Sequence, residues 1–439
     1  MSTRTSAIDS SDCGARIAVT KPMATECEVD IWEKCERASD ELYTIRDTYF
    51  PADPVAKKLK LQSQTDLCRN LLDAIPLEQR KSPLPRARHE YLLGKILDVE
   101  SDYRKDAEDH LSKAVKLNPS LADAWLYLGN CLWKKGDLPA AKNCFNLALS
   151  KGPNKKIFRA LSMLERCLAQ EAENPEQLIE ESIQHAKEAI AIDVKDGSSW
   201  YNLANACFTS FFVSGAWDHN KLQQSLKAYQ NAEKDERMRS IPDLYYHRAI
   251  VNRYLENYER ALTGFEAAAM MDPGLNADLE VQKMVGLLNT IDKLLKDNSR
   301  PKRLGTSPPS NTEASMNPSL KRVTIDELSE GTNEGVAVLG KVIYSIKNDN
   351  SISLYYIISD PSKSRFILSV YGVHCDAIKE GDQVVLLRPC CKHVSFSWKN
   401  KEHAFRSIRV DFLEQLIVNG RTVPSHLAVR SSVFAQHKP

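Results

Sequence analysis

Residues 123–153, DAWLYLGNCLWKKGDLPAAKNCFNLALSKGP, constrain the fold more than any other stretch of the chain. Trp125, Leu128 and Gly129 mark a first helix, Ala141, Phe145 and Ala148 a second, and Pro153 stops it. Such a hairpin cannot bury its apolar face alone, so it requires neighbours of the same kind stacked against it. The neighbours are present. A small residue that lets two helices approach recurs as Gly94, Gly129, Ser162, Ala204 and Ala249. Nineteen columns later in the unit comes Ala114, Ala148, Ala189, Ala232 and Ala268, and the interhelical plug runs Leu111, Phe145, Ala186, Tyr229, Phe265.

This 34-residue pattern is the tetratricopeptide repeat (TPR). Pro119, Pro153 and Pro273 close three copies, where proline cannot donate the next helical bond. The third and fourth copies carry insertions between their helices, near residues 168–178 and 210–221. Five repeats are secure. Residues 28–50 and 54–74 read as a degenerate helix pair, with Ile31, Cys35, Ala38, Leu42 and Ile45 at helical spacing. The expected fold is therefore multidomain. An all-α TPR superhelix, a right-handed solenoid, spans residues 28–297 after a disordered segment at 1–27.

From residue 298 to 322 the composition turns to proline, serine and asparagine, the signature of a flexible linker. Arg300, Lys302, Arg303, Lys321 and Arg322 there face one acid, Glu313. Solvation of a hinge accounts for them; so would contact with RNA, a ribosome or an import factor. The period then changes from helical to alternating. GVAVLGKVIYSI, LYYIISD, RFILSVYG, QVVLLRPC and AFRSIRVDFLEQLIVNG are five strand candidates within residues 323–420, followed by a tail at 421–439. Five short strands suit a small β-barrel, the OB-fold or an SH3-like barrel. The stretch KHVSFSWKNKEHAFRSIR sets Phe396, Trp398 and Phe405 among Lys392, Lys399, Lys401, Arg406 and Arg409. That composition fits base stacking in a basic groove, and equally the charged outer face of ordinary strands.

Charge is balanced at +1, so no global field argues for nucleic acid or an anionic membrane. The eleven cysteines show no paired metal spacing, and Cys131, Cys144, Cys167 and Cys207 sit inside helices as small apolar residues. The adjacent Cys390 and Cys391 read as strand packing, and the set implies a reducing compartment. No apolar run approaches the ~18–20 residues that span a bilayer, and no secretory signal is evident. There is no G-x-S-x-G, H-E-x-x-H or phosphate-cradling glycine loop, so the expectation is a non-enzymatic adaptor without metal or cofactor.

In a TPR array the concave groove is lined by positions 2, 5, 9 and 12 of each repeat. Here these supply Tyr91, Lys95 and Asp98, then Asn130 and Trp133, then Arg159, Met163 and Arg166, then Tyr201, Asn205 and Phe208, then Asp243, Tyr246, Ile250 and Arg253. Amides can bond both sides of an extended backbone, and arginine can clamp a carboxylate bidentately. Asp243 suits a cation. Exposed aromatics in such number imply a ligand, and a short peptide carrying both charges fits best. A heat-shock carboxylate clamp needs two lysines and two asparagines, of which Lys95 and Asn130 supply fragments.

The order of parts resembles the tetratricopeptide repeat protein 5 (Strap) family over roughly residues 31–420. The resemblance is carried by ELYTIRDTYF, HLSKAVKLNP, WKKGDLPAA, ALSML, DGSSWYNLAN and, in the barrel, VLGKVIYS and SIRVDFLEQLIVNG. It implies an OB-fold and a cytoplasmic and nuclear adaptor. One implied role is recognition of the nascent Met-Arg-Glu-Cys or Met-Arg-Glu-Ile start of tubulins at the ribosome, with recruitment of an mRNA-decay effector. The other is stress-responsive coactivation that scaffolds a histone acetyltransferase and a p53-type factor. By the same resemblance, Arg166 and Lys116 meet the peptide's glutamate, Asp243 meets its arginine or amino terminus, and Asn205 holds its backbone. From the groove positions, Asn130, Arg159, Tyr201 and Tyr246 complete the expected peptide-binding set. The family's next acid has no counterpart at Ala277, and Asp278 is one residue off. Lys296, Arg300, Lys302 and Arg303 stand for the family's ribosome-facing cluster. The chain is expected to be a monomer with no membrane partner.

Overall fold

The computed structural model describes residues 30–297, 320–347 and 353–429. Its helical part begins with α1 (Ile31–Thr48) and α2 (Pro54–Asp73), the degenerate pair. The five repeats follow as α3 (Pro83–Leu97) with α4 (Lys105–Leu117), α5 (Ala122–Lys135) with α6 (Leu138–Leu149), and α7 (Lys155–Leu168) with α8 (Pro175–Ile192). Then come α9 (Gly197–Val213) with α10 (His219–Ala232), and α11 (Pro242–Tyr254) with α12 (Tyr258–Met271). A single helix, α13 (Ala277–Lys296), ends the array. Acidic and amide caps set several starts: the side chains of Asp53, Asp137, Asn154, Asp196 and Asp218 each accept an orphan backbone N–H of the helix they precede.

Close approach between the helices of a repeat depends on the small column. A methyl group added at Gly94 would fall 2.6 Å from Leu111 Cγ, and one at Gly129 would enter the Phe145 ring. Ser162 uses its hydroxyl in the same place, 2.9 Å from Ser182 Oγ, and Ser225 Oγ donates to the carbonyl of Ala204 at 2.8 Å. The expected insertions differ in form from simple loops. They lengthen α8 to 18 residues and α9 to 17, leaving short connections at 169–174 and 214–218.

Ten strands among the described residues form one curled sheet: β1 (Lys321–Val323), β2 (Gly331–Thr332), β3 (Val336–Ile346), β4 (Ser353–Ser359), β5 (Arg365–Tyr371), β6 (Gln383–Leu387), β7 (Cys390–Trp398), β8 (Lys401–Val410), β9 (Leu416–Val418) and β10 (Arg421–Thr422). β6 pairs with β3 at one side and β7 with β8 at the other, yet only Arg388 and Pro389 separate β6 from β7. They act as one bent strand that joins the two sides of the curl. β5 and β8 run parallel, as the OB-fold requires. β7 is absent from the five strand candidates, although its stretch also reads as ordinary strands with a charged outer face; it forms a hairpin with β8 across Lys399 and Asn400, both at positive φ (46° and 65°). The expected last strand also splits into β8 and β9. The domain limits move as well. Lys321 and Arg322, expected in the linker, pair with β3, and beyond residue 420 β10 pairs with β9 while Val429 N–H reaches the carbonyl of Gly372 at 2.9 Å.

The barrel docks on the end of the array. Ile346, Tyr355, Ile357, Ile367, Val394 and Phe405 share one apolar cluster with Tyr258, Phe265, Met284, Leu288 and Ile291. Phe396 stacks on Tyr258 with centroids 6.3 Å apart. Lys392 Nζ donates to the carbonyls of Leu255 (2.9 Å) and Glu256 (3.1 Å), and the Arg409 guanidinium lies 3.8 Å over Tyr371 while bonding the Tyr254 carbonyl. Lys401 bonds Asn289, Lys399 pairs with Glu266, and Arg406 pairs with Asp326. The aromatic and basic stretch that resembles a base-stacking surface is thus largely spent on holding the two domains together.

Replacing Gly129 by alanine should lower stability by about 1–3 kcal/mol through overpacking against Phe145. Gly286→Ala, in α13 where nothing lies within 4 Å of the new methyl, should raise it by about 0.5–1 kcal/mol through helix propensity. Urea midpoints of the two variants should move in opposite directions.

Candidate peptide-binding channel

The first helices of the repeats face inward, and α1 lies across their concave side. Lys95 Nζ reaches Ser39 Oγ (3.0 Å) and Asp40 Oδ1 (2.5 Å), Tyr43 Oη donates to the Lys95 carbonyl (3.0 Å), and Tyr127 packs edge-on to Tyr43. Asp98 and Lys134 form a buried pair at 3.1 Å; desolvation raises the carboxyl pKa and lowers that of the amine. The first repeat's expected groove residues Tyr91, Lys95 and Asp98 are therefore covered by α1 or paired within the fold. The fragments of a carboxylate clamp go with them, because Lys95 is occupied by Asp40.

Between α1 and the repeats runs a cleft of about 460 Å³ whose walls include Asp40, Arg46, Asp47, Tyr127, Asn130, Trp133, Lys156, Arg159, Met163 and Arg237. Of the expected peptide-binding residues, Asn130 and Arg159 line it directly. Arg159 is already tied to Asp196 at 2.9 Å, and Lys155 shares that acid. Lys156 and Arg237 are exposed and have no ion-pair partner among the described residues. Lys156 was missed although it occupies position 2 of the third repeat. The same column supplies Arg88, Asp123, Ser198 and Asp243, so the groove rule applied in full would have found it.

Three other expected residues lie one layer deeper. Arg166 is 2% exposed and donates to Asn202 Oδ1 (2.8 Å) and to Ser162 Oγ (3.3 Å). Among the described residues no carboxylate lies within ion-pair distance of it and its Nε has no hydrogen-bond partner; desolvation lowers its pKa. Asn205 is fully buried; its Oδ1 accepts from Tyr229 Oη at 2.5 Å while its Nδ2 is unsatisfied. Tyr201 Oη lies 2.9 Å from His247 Nδ1, which is 3.0 Å from the Asp243 carbonyl. These groups form a polar spine behind the channel wall.

Asp243 lines neither cleft; it lies two residues beyond Ile241, which does line the first. Burial, then the neighbouring Asp272, raises the Asp243 carboxyl; Lys57 opposes this and Asp47 adds to it. Asp47 and Thr48, at the end of α1, share the walls of the first cleft with Ile241, which precedes α11. Tyr246 is half-buried against Phe265 at 5.4 Å. Ala277 is buried and Asp278 exposed, but Glu280, one turn into α13, pairs with Arg253 and lies in the field of Tyr246. Glu280 supplies an acid beside Arg253 that sequence reading did not find.

Lys116 is exposed on the last turn of α4, a second helix, and lines neither this cleft nor the adjoining one. Lys296 is exposed on the last turn of α13; Arg300, Lys302 and Arg303 lie outside the described residues. On the barrel, the exposed His374, Cys375 and Asp376 hold potential ligand atoms within 4.8 Å of one another.

Comparison with known proteins agrees with both halves. The family model described as the tetratricopeptide repeat protein 5 OB fold domain matches residues 319–432, and a tetratricopeptide repeat model matches residues 104–161. The chain is 33% identical over 436 residues to tetratricopeptide repeat protein 5 of Mus musculus, covering 93% of this chain and 97% of the relative. It is 33% identical over 416 residues to that of Homo sapiens, covering 89% and 93%.

Burial pulls the His247 imidazole down to about 4. The unfolded chain takes up this proton near pH 6.5, so between pH 6.5 and about 4 the unfolded state binds more protons and stability falls as pH falls. The contribution is fully present above pH 6.5. Denaturant midpoints should therefore drop less steeply from pH 7 to pH 5 in His247→Gln than in the parent protein.

Proposed function

Because the chain belongs to the tetratricopeptide repeat protein 5 family, we propose that its channel reads the Met-Arg-Glu start of nascent tubulins at the ribosome and that the bound complex recruits an effector of tubulin mRNA decay. A tetratricopeptide adaptor holds partners by surface chemistry, and the chemistry here has two poles. The observation that carries the reading is a cleft whose walls hold the exposed Lys156 and Arg237 together with Asp47, with the buried Arg166 in the layer behind and Asp243 just beyond Ile241 at its edge. A desolvated guanidinium without a counter-charge is costly, and an entering carboxylate relieves that cost. The peptide's glutamate would meet the exposed Lys156 in the cleft, and would reach Arg166 on displacing its bonds to Asn202 and Ser162. Its arginine and free amine would take the acid pole, where added positive charge offsets carboxylate repulsion. Asn130, on the cleft wall, has a donor and an acceptor for the extended backbone between them.

The exposed Lys296, at the point where the chain leaves α13 toward Arg300, Lys302 and Arg303, is proposed as the start of the ribosome-facing surface. Lys116, away from both clefts, is assigned no peptide contact in this reading.

Fluorescence anisotropy with a labelled Met-Arg-Glu-Cys peptide tests the poles. Arg166→Gln and a peptide Glu→Gln change should each cost about 2–5 kcal/mol, and together little more than either alone. Asp243→Asn should couple in the same way to the peptide's arginine. Wild-type affinity in Arg166→Gln, with its melting temperature retained, would remove that residue from the site. Crosslinking to ribosomes that carry a tubulin start should exceed crosslinking to an unrelated start; recovery of the protein from chromatin alone would favour a nuclear scaffold instead.

A further inference from the structure

A second cleft, of about 500 Å³, opens between α1, α3 and the start of α5. It shares Asp40 and Lys156 with the first, so the two are lobes of one trough. Their chemistry differs. The second lobe has apolar walls in Trp32, Leu84, Pro85, Tyr91 and Leu121. Leu84 is 63% exposed, an unusual state for a leucine at the edge of a cleft. Most charges here are already paired: Arg88 with Glu36 at 2.8 Å, and Lys95 with Asp40 at 2.5 Å. The Arg88 guanidinium also sits 5.2 Å over the Trp32 ring, which fixes the ring in place. The lobe therefore has an apolar side, formed by Leu84, Pro85 and Leu121 over the buried Trp32 and Tyr91, facing a polar side of Glu36, Arg88, Asn118 and Asp123, with Lys156 at its neck.

Helix α1 runs along both lobes and measures them. Asp47 marks the acid pole, Asp40 the neck, and Trp32 the floor of the second lobe. At 1.5 Å per residue, Asp47 to Asp40 is about 10 Å and Asp40 to Trp32 about 12 Å. Four extended residues span about 13 Å. A peptide whose amino terminus lies at Asp243 and Asp47 thus uses up its first four residues on reaching Asp40 and Lys156. Whatever follows must enter the second lobe.

We infer that the trough reads a segment longer than four residues, and that the Trp32–Leu84–Leu121 lobe takes aliphatic side chains at positions five to eight of the same peptide. This rests on the reading of the charged lobe above. Each aliphatic group seated against the apolar side of the lobe leaves water. The lobe then acts as a second filter: a charged start followed by polar residues binds weakly, and one followed by β-branched aliphatics binds well.

The test compares three peptides by anisotropy on the full chain: Met-Arg-Glu-Ile alone, the same four followed by Ile-Ser-Ile-Ser, and the same four followed by Ser-Gly-Ser-Gly. The aliphatic extension should tighten binding at least about tenfold over the polar one, since each buried aliphatic group is worth about that factor. Leu84→Asp, a surface change that leaves the fold intact, should abolish the gain while leaving the tetrapeptide's affinity unchanged. Lys156→Glu should weaken all three peptides, because it sits at the neck. Equal affinity for the two extensions, with the tetrapeptide still bound, overturns the second lobe and leaves the charged lobe standing. Failure of the tetrapeptide itself to bind overturns both.

Discussion

The approach of a small residue on one helix to a bulky plug on the next is the contact on which the array depends. Gly94 against Leu111 and Gly129 against Phe145 leave no room even for a methyl group. Where the column changes to serine, hydroxyls bridge the same gap, as between Ser162 and Ser182. Each hairpin is thereby wedged at a fixed angle, and a fixed angle repeated five times must curve. Curvature turns a row of unremarkable first-helix side chains into an enclosed channel. A larger residue in that column would splay the pair and flatten the trough, so distant packing decides what the groove can hold.

Curvature also brings the two ends of the array together. The end of α1 shares the walls of the first cleft with Ile241, which precedes α11, across nearly two hundred residues of sequence. Helix α1 occupies the groove of the first repeat, taking Lys95 and covering Tyr43, Tyr91 and Tyr127 with one another. What is left open is a trough with Lys156 and Arg237 beside Asp47 in one lobe and an apolar side in the other. The cations that matter most there differ in kind. Lys156 is exposed, suited to attracting an anion; Arg166 is buried behind the wall and held by Asn202 and Ser162.

Much of this was legible in the chain. The repeat columns place the five helix pairs from α3 to α12, because they record the packing contacts themselves. The continuous apolar runs LYYIISD and RFILSVYG signal strands covered on both faces, and β4 and β5 do lie between the barrel core and the array. What sequence could not give is which groove positions remain open. Arg166, Tyr201 and Asn205 obey the position rule yet sit behind the wall, because the superhelix is tight at α9 and α7 and α11 press against it. Residue type does not encode that degree of curvature. The aromatic and basic stretch around Phe396 was ambiguous for the same reason: a stacking platform for bases and one for Tyr258 have the same composition.

That stretch answers a requirement of the array. A solenoid must end in a face that water tolerates, and the usual device is a terminal helix with a polar outer side. Here α13 keeps an apolar side, with Met284, Leu288 and Ile291 buried, and the barrel supplies the cover. Hydrophobic contact alone would let the barrel slide or rotate. The polar groups at its centre forbid this. The turn after α11 places Glu256 at a positive φ of 56°, buried between Tyr371 and Arg409, while Lys392 gathers the carbonyls of Leu255 and Glu256. Each is satisfied only in one docking pose, and a buried charge left unpaired by a shift costs several kcal/mol. Arg365 adds a bond to the Leu294 carbonyl at the end of α13. The end of that helix, and with it the origin of the basic segment that follows, is thereby fixed relative to the channel. A ligand in the channel and a surface met at the end of α13 would thereby be held at a fixed offset, set by the charged latch between barrel and array.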